Sequence, residues 1–454
     1  YAAAFYAADC GQSVLLIEKN PRLGGVCLNY GCIPSKALLH ATETITEAEE
    51  SNLRGVTFGK PKIDLKKLYK WKDSIVDKLS SGIGSLAKAR KVEVLAGRAY
   101  FESDNTLRVE TKKGQEMIEF NKAIVAVGSQ PVLPAAFDLG NKRIMTSKEA
   151  LEIEDIPKKL LVVGGGYIGM ELGTVYAKFG SKVDLVEAMP AILAGADPDI
   201  VRPVKRRVEQ LFNSVRLDTK VLSMATKGKQ VQVEFEQDGK KSTELYDKVL
   251  VSVGRRPNAD NLGLKHANIK QDSKGFIEVD ETLKTSNPNV YAIGDIAGGI
   301  LLAHKASRDA RIAVDAILGN YASNKDIVIP AVVFTDPEVA WCGITETEAK
   351  ERGIKVNVAK FPWGALGRAL TLDRPEGLTK LILEPETDRV LGVAMVGSGA
   401  GDMIAEGTLA VESGLTAKDL ALTVHPHPTL SESMMEAAEV FYGHATHVNS
   451  PKRK

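Results

Sequence analysis

Residues 160–187 read LLVVGGGYIGMELGTVYAKFGSKVDLVE, and this stretch decides the fold class of the 454-residue chain. An apolar run typical of a buried strand leads into Gly164, Gly166 and Gly169, which have the spacing G-x-G-x-x-G. A helical stretch and a second apolar strand ending at Glu187 complete a βαβ unit. In such units the glycines let the backbone approach a pyrophosphate at the helix N-terminus. A glycine-rich turn without a ligand is the alternative interpretation.

The start of the chain repeats part of this unit. Residues 1–18 read YAAAFYAADCGQSVLLIE, and a glycine precedes Glu18 by seven residues, as another precedes Glu187. Aligning the two acids places Tyr1 directly after the position of Gly169. We therefore expect the first strand and glycine loop of this unit to precede residue 1. An N-terminal helix without a nucleotide site is the alternative.

A second repeat indicates how the chain is organised. KAIVAVGSQP (122–131) and KVLVSVGRRP (248–257) both predict a buried strand that ends in a glycine turn and a proline. The sequence therefore predicts an α/β protein with two Rossmann-like dinucleotide-binding domains, followed by a C-terminal α+β domain. The expected boundaries are 1–148 with 273–330 for the first domain, 149–272 for the second and 331–454 for the third.

Composition excludes several classes of protein. Lys and Arg number 59 against 58 Asp and Glu, so the net charge of +1 gives no reason to expect nucleic acid or an anionic membrane as the partner. The apolar runs are shorter than the ~18 residues of a membrane span. Four cysteines in 454 residues are too few for a structural disulfide framework.

The stretch GGVCLNYGCIPSKALLH (24–40) is the most informative about chemistry. Cys27 and Cys32 are five residues apart, and a helical turn could bring their Cα atoms within the ~7 Å that a disulfide needs. A thiol near a helix N-terminus has a lowered pKa, and two neighbouring thiols suit a two-electron exchange. Inert thiols and half of a zinc site are the alternatives, although the other two cysteines form no matching pair.

Together with Gly294-Asp295, LAHK (302–305) and HPTLSE (427–432), these motifs make the whole chain resemble the pyridine nucleotide–disulfide oxidoreductases. The resemblance implies an FAD domain, an NAD domain and a C-terminal dimerisation domain, in the order given above, and a homodimer. It also implies an oxidoreductase that oxidises a dihydrolipoyl dithiol through a Cys27–Cys32 disulfide and FAD, and passes hydride to NAD+. The implied partners are lipoyl-bearing carrier proteins of 2-oxoacid dehydrogenase complexes or of the glycine cleavage system.

The resemblance also assigns roles to single residues. Cys27 would meet the substrate, Cys32 would lie against the flavin, and Lys36 would sit beside it, balanced by Glu171. His427 would act as the base, oriented by Glu432. The cofactor-binding positions that it implies are Glu18, Lys36, Gly97, Ser129, Gly164, Gly166, Tyr167, Gly169, Glu171, Glu187, Gly254, Gly294, Asp295 and Ala303.

Simpler interpretations stay open for these residues. Glu18 and Glu187 could be ordinary strand-end acids, and Thr429-x-x-Glu432 fits a helix capping box. The late histidines could bind a metal, but the sequence offers no spacing that completes a ligand set, so we expect none; they are His425, His427, His444 and His447.

Two other functions are weighed against this one. A related reductase would run electrons the other way from NADPH, but Glu187 would repel a 2′-phosphate. A redox-inactive subunit would not need the thiol pair and the histidine. Because paired thiols suit a reducing compartment, we expect the cytoplasm; an organelle, after removal of a transit peptide, is the alternative.

Overall fold

The computed structural model describes residues 1–449. In the first region, β1 pairs parallel with β2, and β3 and β4 extend that sheet antiparallel. The elements are α1 (Ala2–Asp9), β1 (Leu15–Glu18), α2 (Gly25–Tyr30), α3 (Cys32–Glu50), α4 (Leu65–Ala89), β2 (Glu93–Phe101), β3 (Thr106–Thr111), β4 (Gly114–Glu119), β5 (Ala123–Val125) and β6 (Ser129–Pro131). Two long helices, α3 and α4, thus follow the cysteine pair.

The second region contains a parallel sheet. Its elements are β7 (Ile144–Met145), α5 (Ser147–Ala150), β8 (Lys159–Val163), α6 (Tyr167–Lys178), β9 (Lys182–Val186), α7 (Pro198–Leu211), β10 (Ser214–Arg216), β11 (Thr219–Lys227), β12 (Gln230–Gln237), β13 (Lys240–Tyr246), β14 (Lys248–Val251) and β15 (Arg255–Pro257). The strand order is β10-β9-β8-β14-β7, with β11-β12-β13 as a separate antiparallel sheet. Strand β7 joins the parallel sheet although it precedes the expected boundary at residue 149.

The remaining elements return to the first region and then build the third. They are β16 (Val290–Ala292), α8 (Ala303–Leu318), β17 (Ala331–Val333), β18 (Glu338–Gly343), α9 (Glu346–Glu351), β19 (Asn357–Pro362), α10 (Gly367–Thr371), β20 (Leu378–Leu383), β21 (Val390–Gly397), α11 (Ala400–Glu412), α12 (Ala417–Leu422) and α13 (Glu432–Tyr442). Strand β16 pairs parallel with β5, and the third region forms an antiparallel sheet in the order β17-β18-β21-β20-β19. The expected third domain runs to residue 454, and its last five residues, 450–454, lie outside the described part.

The two strand repeats contact each other. Each continues past its glycine turn into a short strand, and these strands, β6 and β15, pair antiparallel with Ser129 opposite Pro257 and Pro131 opposite Arg255. The pairing brings the ends of both repeats to one place, where Ser129 and Arg255 meet.

One hydrophobic core joins all three regions. Leu38 on α3, Met170 on α6 and Val339 on β18 are buried in the same cluster. Packing therefore holds these helices and strands in fixed relative positions. Within residues 1–449, the helices are too short or too polar to cross a membrane. The α/β architecture that the sequence predicts is confirmed.

Candidate active site

The two cysteines lie where one helix ends and the next begins. Cys27 is in the last turn of α2, and Cys32 is the first residue of α3. Gly31 separates the helices, and a Cβ there would lie 3.1 Å from the Val26 carbonyl oxygen and 3.3 Å from the Cys27 Cα. Glycine thus allows this close approach of the two backbones.

The thiols of this pair are free, and they interact. Interaction between the two thiols raises the pKa of Cys27 and, together with the positive charge of Lys36, lowers that of Cys32 to about 7. Cys32 is therefore the more acidic thiol of the pair, as expected for a thiol at a helix N-terminus.

The Lys36 ammonium lies at a junction of three regions. Its Nζ is 2.7 Å from Oε2 of Glu171, a buried residue of α6. The same oxygen accepts from the Ser35 hydroxyl at 3.0 Å, and Oε1 accepts from the Phe334 N–H at 3.1 Å. Lys36 and Glu171 are brought together as the resemblance implies, and the partners Ser35 and Phe334 were not anticipated.

The glycine loop of the second region has the shape that a dinucleotide needs. Gly164 has φ +107°, and a Cβ on it would lie 2.5 Å from the Ser252 carbonyl oxygen. A Cβ on Gly169 would collide with the Gly164 carbonyl oxygen. On Gly166, the residue before α6, a Cβ would meet no described atom within 4 Å. The loop is therefore closely packed at Gly164 and Gly169 and open at Gly166, at the helix N-terminus. The open position fits a pyrophosphate.

Both strand-end acids are held by amides. Glu187 accepts from the Gly165 N–H at 2.6 Å and the Met189 N–H at 2.8 Å. Glu18 accepts from the N–H and the side-chain amide of Asn20, at 2.8 and 2.9 Å. In both repeats the acid thus accepts from the amide two residues further along the chain.

Asp295 lies where the two repeats meet. Its carboxylate accepts a short hydrogen bond from the Ser129 hydroxyl, and Arg255 Nε donates to that hydroxyl oxygen at 2.7 Å. The preceding Gly294 has φ +70° and donates its N–H to Asp309 at 2.9 Å. The carboxylate is thus placed by groups from both repeats, and it keeps about one-fifth of its surface exposed (21%).

Four further positions implied by the resemblance are placed as follows. Tyr167 opens α6 with 40% of its surface exposed, and burial of its hydroxyl raises its pKa. Ala303 is the exposed first residue of α8. Gly254 follows β14 with φ +128°. At Gly97 a Cβ would lie 2.7 Å from the Val109 side chain, so this glycine serves the close pairing of β2 with β3.

His427 and Glu432 form a pair at the start of α13. The His427 Nδ1 is 2.9 Å from Glu432 Oε1, and Oε2 accepts from the Thr429 N–H at 2.7 Å. Burial raises the pKa of Glu432, but these two hydrogen bonds outweigh it, so the pKa is lowered and the carboxylate stays ionised. The capping box forms only in part, because Ser431 is the N-cap and the Thr429 hydroxyl donates to the Pro426 carbonyl.

Two of the other late histidines have carboxylates of their own. His425 Nε2 lies 2.8 Å from Glu406, and His447 makes a short hydrogen bond to Glu436. His444 stacks on Tyr442. These pairings separate the histidines rather than gather them around one point.

An acidic cluster lies apart from this site. Oxygen atoms of Asp197, Asp199 and Glu346 come within 4.8 Å of one another. The buried Lys380 ammonium is 2.7 Å from both aspartates and 3.2 Å from the glutamate, and Lys360 adds a second positive charge. Lysine therefore neutralises these acids.

The positions that sequence analysis missed have different origins. Ser35 lies inside the cysteine motif, and Arg255 is the counterpart of Ser129 in the second repeat, so both had a signal that could have been used. Phe334 follows an apolar strand, and nothing in the sequence connects it with Lys36 or Glu171.

Comparison with known proteins agrees with this geometry. Residues 1–310 match the family model described as pyridine nucleotide-disulphide oxidoreductase, and residues 329–438 match the dimerisation domain of that family. The chain is 44% identical to a dihydrolipoyl dehydrogenase of Vibrio cholerae over 455 aligned positions, which cover 100% of the chain and 96% of the relative. It is 45% identical to a dihydrolipoyl dehydrogenase of Staphylococcus aureus, with 98% and 95% covered.

Solved structures of similar fold include LpdA from Mycobacterium tuberculosis, with a TM-score of 0.88, 26% identity and 96% of each chain covered. The HOCl-induced flavoprotein disulfide reductase RclA from Escherichia coli gives a TM-score of 0.85 at 28% identity, again with 96% of each chain covered. The chain belongs to the pyridine nucleotide–disulphide oxidoreductase family.

Proposed function

We propose that this chain catalyses the NAD-dependent oxidation of a protein-bound dihydrolipoyl dithiol (EC 1.8.1.4), the activity for which its curated relatives are named. The observation that carries the proposal is the pair of interacting thiols, with the pKa of Cys32 lowered to about 7 beside Lys36. A thiolate at neutral pH is a good leaving group in thiol–disulfide exchange, and the second thiol completes a two-electron couple.

Members of this family depend on FAD and on NAD or NADP, and the residues of this chain fit both cofactors. On the NAD side, the open glycine loop before α6 would hold the pyrophosphate, and Glu187 would accept from the adenosine ribose. On the FAD side we propose the strand-end Glu18, Ser129 with Asp295, and the exposed N-terminus of α8 at Ala303. Bound FAD would accept two electrons from the cysteine pair, and NAD+ would take them as hydride.

The thiol steps need only groups of this chain and the substrate. With Cys27 and Cys32 joined as a disulfide, a substrate thiolate attacks the Cys27 sulfur, and Cys32 leaves as a thiolate. The second substrate thiol then attacks the mixed disulfide, so that the substrate becomes a cyclic disulfide and Cys27 is released. Two electrons have moved to the cysteine pair, and Lys36 favours the thiolate form of Cys32.

His427 would take the proton that each substrate thiol must lose before it attacks. Its Nδ1 faces the ionised Glu432, so Nδ1 carries hydrogen and Nε2 is left to accept a proton. The imidazole is largely exposed, with 73% of its side-chain surface accessible, so a substrate can reach it. Glu432 would stabilise the imidazolium that forms.

The matched dimerisation domain supports a homodimer, and we propose that two chains share each active site. Cys27 belongs to the first region and His427 to the third, and in the proposed dimer one chain supplies the thiols and the other the base. Mixing inactive Cys27→Ser chains with inactive His427→Gln chains should restore part of the activity, because one of the two sites in a mixed dimer is intact. If activity stays absent while mass measurement proves subunit exchange, the shared site is excluded.

The partners that we propose are lipoyl-bearing carrier proteins of 2-oxoacid dehydrogenase complexes or of the glycine cleavage system. The bacterial relatives support the cytoplasm as the place of the reaction.

The proposed function is tested by mixing the purified flavoprotein anaerobically with dihydrolipoamide. We expect the absorbance of the oxidised flavin to bleach and to recover when NAD+ is added. Glutathione is the matched control and should bleach it far more slowly. An oxidised flavin that dihydrolipoamide leaves unchanged would rule the proposal out.

A further inference from the structure

Phe334 touches both members of the Lys36–Glu171 pair. It follows β17 in the third region, and its main-chain N–H donates to Glu171 Oε1 at 3.1 Å. The Lys36 Nζ lies 4.4 Å from the centroid of its ring. One residue thus contacts the acid through its backbone and the base through its side chain.

The Phe334 ring lies beside α11 and is partly buried. A Cβ on Gly401 would lie 3.5 Å from the Phe334 Cε1, an ordinary van der Waals distance, so the aromatic edge lies close to the backbone of this helix. The ring also packs against the core that joins the three regions. Because packing against the core restricts the ring, its face offers the Lys36 ammonium a defined position.

The Lys36 ammonium needs such a contact because the carboxylate holds it from one direction only. About one-third of its side chain is exposed (32%), whereas Glu171 is buried and accepts from three donors. Lysine has a long and flexible stem, and a cation over an aromatic face is attracted to the ring electrons. The ring therefore limits how far the ammonium can swing away from Cys32, one helical turn earlier on α3.

We propose that Phe334 is a positioning residue of the redox site, whose ring keeps the Lys36 ammonium next to Cys32 and so stabilises the reduced cysteine pair. The inference rests on the proposed function only in that it takes Cys27 and Cys32 as the redox couple. It extends the site to a part of the third region where sequence analysis placed no function.

The test is the thiol–disulfide equilibrium of the holoenzyme in dithiothreitol buffers, without substrate. The cysteine pair loses two electrons to oxidised dithiothreitol, which becomes the dithiol; Cys27 releases one proton, and the buffer supplies the second where Cys32 is a thiolate. The fraction of free thiols is counted by mass after alkylation. Phe334→Leu keeps the N–H to Glu171 but removes the ring. We expect its equilibrium to shift about two- to fivefold towards the disulfide, which corresponds to the loss of one cation–π contact.

Two variants serve as controls. Phe334→Tyr keeps the aromatic face and should match the wild type. Phe361→Leu truncates a buried phenylalanine in a different core of the same region, so it should lower thermal stability without moving the equilibrium.

The outcomes separate this inference from the proposed function. If Phe334→Leu equals the wild type while dihydrolipoamide turnover is normal, or if Phe361→Leu shifts the equilibrium equally, the inference is wrong. If the shift occurs in Phe334→Leu alone and the wild type fails to oxidise dihydrolipoamide, the inference stands and the proposed function falls.

Discussion

Two carboxylates orient the two basic side chains of the proposed mechanism, and they are built differently. Glu432 pairs with His427 and accepts from the Thr429 N–H, so its partners lie within six consecutive residues. Glu171 is held by residues 35, 36 and 334, which come from two other regions of the chain. The first pair is a local structure, and the second depends on the assembly of all three regions.

The difference separates two tasks. The His427 imidazole is largely exposed and can exchange protons with an incoming substrate, whereas Lys36 is held beside Cys32 by a buried carboxylate. A proton acceptor needs access, and a fixed charge needs a rigid surround. We therefore expect changes at the local pair to affect proton transfer from the dithiol, and changes at the junction to affect the redox balance of the cysteines.

Both the His427–Glu432 pair and the Lys36–Glu171 pair act on the cysteine thiols, so removing a thiol should have the largest effect on dithiol oxidation. Cys27→Ser and Cys32→Ser should each reduce dithiol oxidation to background, because a hydroxyl cannot take part in a disulfide. Flavin absorbance should be retained in both. Cys10→Ser, at an exposed cysteine outside the site, is the matched control and should be fully active. Clear turnover in either site variant would show that dithiol oxidation does not need both thiols.

Glu187 resembles Glu432 in that its carboxylate is held within one part of the chain: it accepts from the N–H groups of Gly165 and Met189 in its own repeat. A 2′-phosphate beside this fixed carboxylate would place like charges close together. We expect kcat/KM for NAD to exceed that for NADP by ~10²-fold, about 2.7 kcal/mol. Glu187→Gln removes the negative charge at nearly the same side-chain size, so it should reduce the ratio of kcat/KM for NAD to that for NADP. A wild type that prefers NADP would contradict both the role of Glu187 and the direction of electron flow.

A smaller effect is expected at Glu432. In Glu432→Gln an oxygen can still accept from the Thr429 N–H, but the charge that faces His427 is gone. Dithiol oxidation should fall about ten- to a hundredfold, the range expected for a hydrogen bond to a charged group. Glu436→Gln on the same helix, which faces His447, is the control. Equal losses in the two variants would show that helix stability, rather than His427, is affected.

The contrast between local contacts and contacts between regions also explains which parts of the fold and site could be predicted from the sequence. The βαβ unit depends on short spacings, so it could be predicted from the residues alone, whereas the pairing of His427 with Glu432 was implied by the resemblance to a family although the two residues are close in sequence. Lys36 with Glu171 followed only from the resemblance to a family, because no local pattern joins residues 135 positions apart. The contacts of Ser35 and Phe334 depend on how the regions pack, and the pairing of Ser129 with Arg255 depends on two repeats meeting edge to edge. Tertiary packing sets all of these contacts; the cysteine motif marks Ser35 and the repeat marks Arg255, whereas nothing in the sequence marks Phe334.

We infer a separation between proton transfer at His427 and electron transfer at the cysteine pair, which are carried by different parts of the site. It is tested most directly by rapid-mixing absorbance of the flavin in His427→Gln, with His447→Gln as the matched control. Dihydrolipoamide should reduce the flavin ~10²–10⁴-fold more slowly in His427→Gln, the usual worth of a general base, while NADH should reduce it at the wild-type rate. Equal slowing with both reductants, or unchanged reduction by dihydrolipoamide, would contradict the account.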